Sequence, residues 1–224
     1  MEDPTAPATS SARPPASHLL WRERHERSHA TRLALLVAAA DQFHSVGYHG
    51  ASLSEIVTTA GVTKGALYFH FFHKRGVAEA VIAELNATWT AVVTEVAERG
   101  LDPLSALFAE VDLVLTHLLE DPIVRGGTRL LHDPALRSEY THDLAAKQYA
   151  YAESIIAAQL HAARQAGMLR PCLDESGCAE LARSVMASIV GHHMVCDLTR
   201  TEDQLRSRVT AMFHDLLPLI TQQH

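Results

Sequence analysis

The sequence predicts an all-α protein, a small helical head followed by a longer helical body, on three observations. Apolar residues recur at helical spacing from Arg22 onward. Clusters of Gly, Pro and Asp divide the chain into Ala- and Leu-rich segments longer than ordinary strands. No stretch alternates apolar and polar residues convincingly, and β-branched clusters such as Ile189-Val190 are too short to form strands.

Taken in order, residues 1–21 are rich in Pro, Ala, Ser and Thr and read as a flexible tail. Leu33, Leu36, Val37, Ala40 and Phe43 then share one face of a helix, which Gly47 is placed to end. Ser52-Leu53-Ser54-Glu55 reads as a capping box, the Ser52 hydroxyl accepting from the Glu55 amide. A short helix carrying Leu53, Ile56, Val57 and Ala60 leads to Gly61, and Thr63 is placed to cap a second one from Lys64 to about His70. Two short helices joined by a tight glycine-containing turn make a helix-turn-helix unit, a DNA-reading device. The head is therefore set at residues 22–73 and the body at 74–224. In the body, helices are predicted at about 74–98, 104–120, 138–166, 176–196 and 202–221. Breaks are placed at Gly100 to Pro103, Asp121-Pro122, Gly126-Gly127, Asp133-Pro134 and Gly167 to Pro171.

Composition narrows the function. With 224 residues, 47% of them hydrophobic, the chain can bury a real core. No apolar run reaches the roughly 18–20 residues of a membrane helix, and no secretory signal precedes the head. Three cysteines make no disulfide framework, so a soluble cytoplasmic protein with no membrane partner is expected. The net charge of −7 conceals an asymmetry: residues 22–76 carry +3 and residues 77–224 carry −9. A basic head on an acidic body suits a DNA-reading module on a body that leaves DNA alone. A nucleophile elbow, a phosphate-binding loop and a dinucleotide fingerprint are all missing, so no catalytic residue is assigned, and neither an enzyme nor a cofactor is expected. The acidic pairs Glu120-Asp121 and Asp174-Glu175 lie at helix boundaries, where capping explains them.

The string from Leu53 to Phe71, together with Ala38 to Tyr48 upstream and Lys74 downstream, resembles the N-terminal signature of the tetracycline-repressor (TetR) family. The run Val62-Thr63-Lys64-Gly65-Ala66-Leu67-Tyr68-Phe69-His70-Phe71 is further similar to the γ-butyrolactone receptor branch of antibiotic-producing actinomycetes. The resemblance implies a homodimeric repressor that binds pseudo-palindromic double-stranded operator DNA and leaves it when a small-molecule effector occupies the body. In the head, Lys64 suits guanine or phosphate, Gly65 permits close approach, and Tyr68 suits phosphate or a thymine methyl. Thr63 and the adjacent amides favour an anion, and Ser52, Ser54, His70 and Lys74 resemble the family's backbone-positioning contacts. Leu53, Ile56, Val62, Leu67 and Phe71 read as head core, and Phe69 fits either packing, the favoured reading, or DNA contact.

In the body, the resemblance implies that the last two long helices form the dimer interface. The stripe Leu205, Val209, Met212, Phe213, Leu216 and Ile220 suits either that interface or the subunit's own core. Candidate ligand contacts, each equally open to ordinary packing, are Trp89, Thr128, Gln148, Tyr151, Ser188 and His192. Tyr151 falls where butyrolactone receptors carry a tryptophan over the ligand, a departure that points toward a related furan, butenolide or antibiotic intermediate. Two alternatives stand beside this reading: an orphan or antibiotic-responsive regulator, and a metal sensor built on His192 and Cys196 at i, i+4, with Cys172 and Cys178 as additional ligands. The scattered histidines lack a ligand motif, so no metal is assigned.

Overall fold

The structure, a computed structural model, describes residues 16–136 and 139–222. The chain runs through α1 (Ala16–Gly50), α2 (Leu53–Thr59), α3 (Lys64–His70), α4 (Lys74–Glu98) and α5 (Pro103–Glu120). It continues through α6 (Pro122–His132), α7 (Glu139–Gln165), α8 (Glu175–Thr199) and α9 (Leu205–Ile220), with single helical turns at Pro134–Leu136 and Glu202–Gln204. Among the described residues there is no strand, only an isolated bridge between Leu169 and Thr221. The all-α expectation holds. The first fifteen residues of the predicted tail lie outside the described part, and α1 already begins at Ala16.

Local signals account for most of the helix ends. Thr63 accepts the Ala66 amide at 3.2 Å and starts α3, as its position predicts. Asp174 accepts the Gly177 amide at 2.8 Å and starts α8. Gly61, at φ 66°, closes α2, with the Val62 amide reaching back to the Val57 carbonyl at 3.2 Å. The capping box is corrected: Ser52 precedes α2 in extended conformation but its hydroxyl makes no capping hydrogen bond. Gly47, at φ 71°, kinks α1, and one more turn carries the helix to Gly50.

The element missed in the sequence is α6. Its start is signposted by Asp121, which accepts the Ile123 amide at 2.8 Å, and by Pro122 in the first turn. Gly126-Gly127 reads locally as a break, since each glycine costs a helix about 1 kcal/mol relative to alanine. Tertiary contact explains both glycines. A Cβ on Gly126 would sit 2.4 Å from the Ala40 carbonyl oxygen of α1, and one on Gly127 would sit 3.0 Å from Leu85 of α4. Side-chain-free positions let α6 press directly onto its two neighbours.

This placement makes α6 common to two cores. The head core contains Leu36, Phe43, Ile56, Leu67 and Phe71, and it extends past residue 73 to Val77, Val81 and Ile82 of α4 and to Ile123 and Leu130 of α6. The body core contains Leu85, Leu107, Leu115, Leu160, Val185 and, again from α6, Val124. Leu131 packs against both. Burying such side chains stabilises the fold by about 1.5–3 kcal/mol each, so α6 is held from two sides. The stripe on α9 resolves to the subunit's own core: Leu205, Val209 and Phe213 are buried, and Met212, Leu216 and Ile220 pack against them.

Candidate nucleic-acid interface and ligand cavity

The head presents α3 as an outward ridge. Leu67 is buried beneath it, while Lys64, Gly65, Tyr68 and Phe69 face out. Gly65 has no internal reason to be glycine, because an added Cβ would meet only Thr63 Oγ1 at an ordinary 3.7 Å. Thr63 and Ser54 are exposed nearby, and Ser52 is half-buried. Phe69 is 78% exposed, against the packing reading, and its ring stands edge-on to His70 at 5.1 Å. Phe72, 87% exposed just beyond α3, was missed in the sequence. Phe71, extended at the end of α3, turns into the head core, and Phe72 after it stays outside.

Two residues assigned to DNA turn toward their own fold. Lys74 Nζ donates to the carbonyls of His49 at 3.2 Å and Ala51 at 3.0 Å, and lies 4.7 Å from the centre of the Tyr48 ring. The ammonium thereby caps one carbonyl in the last turn of α1 and one just beyond it, and fixes the approach to α2. His70 is half-buried, and burial, reinforced by the nearby Arg32, pulls its pKa below the usual imidazole value and favours the neutral ring.

The body contains a largely apolar cavity, partly open to solvent, between α4, α5, α6, α7 and α8. Of the candidate ligand contacts, Trp89, Thr128, Gln148 and Tyr151 line it; Tyr151 is 45% exposed, which puts it at the rim. Ser188 and His192 do not line it. The Ser188 hydroxyl instead donates to the Ser184 carbonyl at 2.8 Å, and the cavity face of α8 carries Met186, Ile189, Val190 and His193. Those four positions follow one helical face, so the histidine expectation missed by one residue of phase.

Besides His193, three further polar groups that line the cavity escaped the sequence reading: Glu110, His132 and Tyr149. The Nδ1 of His132 lies 2.8 Å from the Thr128 carbonyl, which only accepts, so this nitrogen carries the proton. Tyr149, its pKa pushed up to about 12 by burial, donates its hydroxyl to His132 Nε2. Apolar periodicity offers no way to find such a pair, since its partners lie on different helices. Of the metal-sensing candidates, Cys196 is buried in the core, Cys178 is also buried and Cys172 is exposed. Among the described residues, no group of three or more His, Cys, Asp or Glu could hold a metal ion. No described helix is long and apolar enough to cross a membrane.

A helix-turn-helix head fused to an all-α body with an apolar cavity defines a class: transcription regulators that read DNA and carry a small-molecule compartment. Residues 35–81 match the family described as bacterial regulatory proteins, tetR family. The A-factor receptor protein of Streptomyces griseus is 29% identical over 88% of this chain and 66% of that protein. A crystal structure of a γ-butyrolactone receptor, an ArpA-like protein, is 26% identical, with a TM-score of 0.67 over 87% of this chain and 90% of that one. The TetR family protein CprB from Streptomyces coelicolor, in complex with its operator sequence, is 28% identical, with a TM-score of 0.71 over 88% of this chain and 90% of that one. The chain belongs to the TetR family of transcriptional regulators and resembles its γ-butyrolactone receptors. It spans about two thirds of the A-factor receptor's length.

Proposed function

We propose that the protein is a homodimeric repressor that binds a pseudo-palindromic operator and is released by a small signalling molecule of the γ-butyrolactone, butenolide or furan type, controlling antibiotic or other secondary-metabolite genes. The head, residues 22–73, would read DNA through Thr63, Lys64, Gly65 and Tyr68 of the exposed α3 ridge, with Ser52 and Ser54 toward the phosphates. Phe69 and Phe72 extend that surface. His70 and Lys74 act as positioning residues, holding the ridge rather than touching the duplex. The body, residues 74–224, would hold the effector, with Trp89, Thr128, Gln148 and Tyr151 as contacts. Pairing of two subunits would use the outer face of α8, where Met194, Val195 and Leu198 are exposed, together with Leu219 of α9.

One observation carries this reading: α6 is at once a cavity wall and part of the head core. Thr128, Leu131 and His132 line the cavity, while Ile123 and Leu130 of the same helix pack into the head. A ligand that fits better with α6 or α4 displaced would favour a second spacing of the two heads, and it acts only through that difference in affinity. Inverting a 1:99 equilibrium takes about 5.5 kcal/mol of differential binding. The test is a gel shift with the promoter DNA beside the protein's own gene, repeated with added lactones, butenolides and metabolite extracts. A shifted band that each class leaves in place would refute effector release, and no shift at all would refute operator binding there.

A further inference from the structure

The cavity contains an acidic group that its own surroundings leave incomplete. Glu110 of α5 lines it and is only 6% exposed. Its Oε1 accepts from Gln159 Nε2 of α7 at 3.0 Å, and its Oε2 is buried with no partner. A buried acceptor left unpaired costs about 1–3 kcal/mol, and more when charged. No Lys or Arg is among the described residues lining the cavity, and burial holds its His193 toward the neutral form, so no full positive charge there faces an anionic ligand. The imidazole of His132, engaged by the Thr128 carbonyl on one side and the Tyr149 hydroxyl on the other, offers no free N–H. A second unpartnered acceptor, Gln148 Oε1, lies eleven residues before Gln159 on α7, about 16 Å at 1.5 Å per residue. The residues between these ends are mainly apolar: Val111, Ala152, Ile155 and Ile156.

We propose that this cavity selects an elongated apolar molecule, neutral or cationic, whose hydroxyl or amine donates to Glu110 Oε2, and that it rejects carboxylates. A closed lactone bearing a hydroxyl meets that demand, whereas its ring-opened hydroxycarboxylate would place a second negative charge beside Glu110. The proposal rests on the cavity being the effector site, and it adds the polarity of the effector.

Four probes with one chain length test it on the full-length protein by titration calorimetry at neutral pH: 1-decanol, decyl methyl ether, decylammonium and decanoate. Decanol is expected to bind about ten-fold more tightly than the ether, and decylammonium about ten-fold more tightly than decanoate. In Glu110→Gln the ionic pair is expected to draw level, because the carboxylate charge is gone. The order among the four in the unaltered protein is decisive even if that variant does not fold. Equal binding of ether and decanol, or decanoate binding as well as decylammonium, would overturn the assignment to Glu110 and leave the cavity as an effector site. Failure of all four to bind would overturn both. A Glu110 that carried its own proton would donate to the ether and erase the first difference, which would likewise overturn the proposal.

Discussion

The carboxylate of Asp133 accepts the backbone N–H of Tyr48 at 2.8 Å, across 85 positions of sequence. Asp133 follows α6 directly, and Tyr48 follows the left-handed kink at Gly47. An added Cβ on Gly47 would lie 3.3 Å from the same carboxylate oxygen. The end of the cavity-lining helix is thus tied to the point where α1 bends toward the helix-turn-helix. The preceding residue, His132, lines the cavity.

Asp133→Ala is expected to destabilise the protein by about 1.5–3 kcal/mol, the range for a hydrogen bond to a charged group. Asp133→Asn keeps an oxygen acceptor and should lose less. Urea denaturation of the three proteins checks the order, and operator titrations should show weaker DNA binding in the same order.

Gly126→Ala places a methyl group against the Ala40 backbone, which has no rotamer with which to yield. A loss of about 1–3 kcal/mol is expected, as for other overpacked sites. Gly127→Ala, facing the movable Leu85 side chain, should lose less. Thermal melts of both variants would contradict the close α1–α6 packing if Gly126→Ala proved neutral.

Lys64→Ala and Tyr68→Ala are expected to abolish the operator shift while leaving stability and subunit association unchanged. Lys74→Ala should do the reverse in part: its ammonium holds the His49 and Ala51 carbonyls, so the melting temperature should fall. For a weaker substitution, Lys64→Gln, the salt dependence of any remaining operator affinity should become shallower by about one per head if the lysine touches phosphate.

Tyr151→Ala should leave operator binding intact and raise the effector concentration needed for release, since Tyr151 sits at the cavity rim. Ser188→Ala should leave release unchanged, because its hydroxyl is spent on the Ser184 carbonyl. Gel shifts across an effector series separate the two; an unaltered response in Tyr151→Ala would remove that residue from the site.

His193 supplies a pH test. Burial is the main cause lowering its pKa, His132 and His44 lower it further, and Asp197 and Glu202 oppose them. Between the depressed native value and the ordinary value near 6.5, the unfolded chain binds more protons, so stability rises with pH. The contribution is complete above that ordinary value and is lost as pH falls through the native one. Denaturation midpoints measured downward from pH 7.5 should fall less steeply in His193→Gln than in the unaltered protein.

Much of this architecture is written locally. The helix-turn-helix follows from Thr63 as a cap, Gly61 in the turn and the phase of Ile56, Leu67 and Phe71, because each signal acts within a few residues of itself. The bounds of α4, predicted at 74–98 and found at Lys74–Glu98, come from the same kind of information. Tertiary structure decided what depends on distant partners. Gly126-Gly127 became helix because Ala40 and Leu85 lie against it, and Lys74 turned inward because α1 ends in carbonyls that need a donor. The phase of α8 chose His193 over His192, and the crossing of α5 with α7 left one oxygen of Glu110 unpaired. Periodicity tells which face of a helix is apolar; which neighbour meets that face is settled only when helices from opposite ends of the chain pack together.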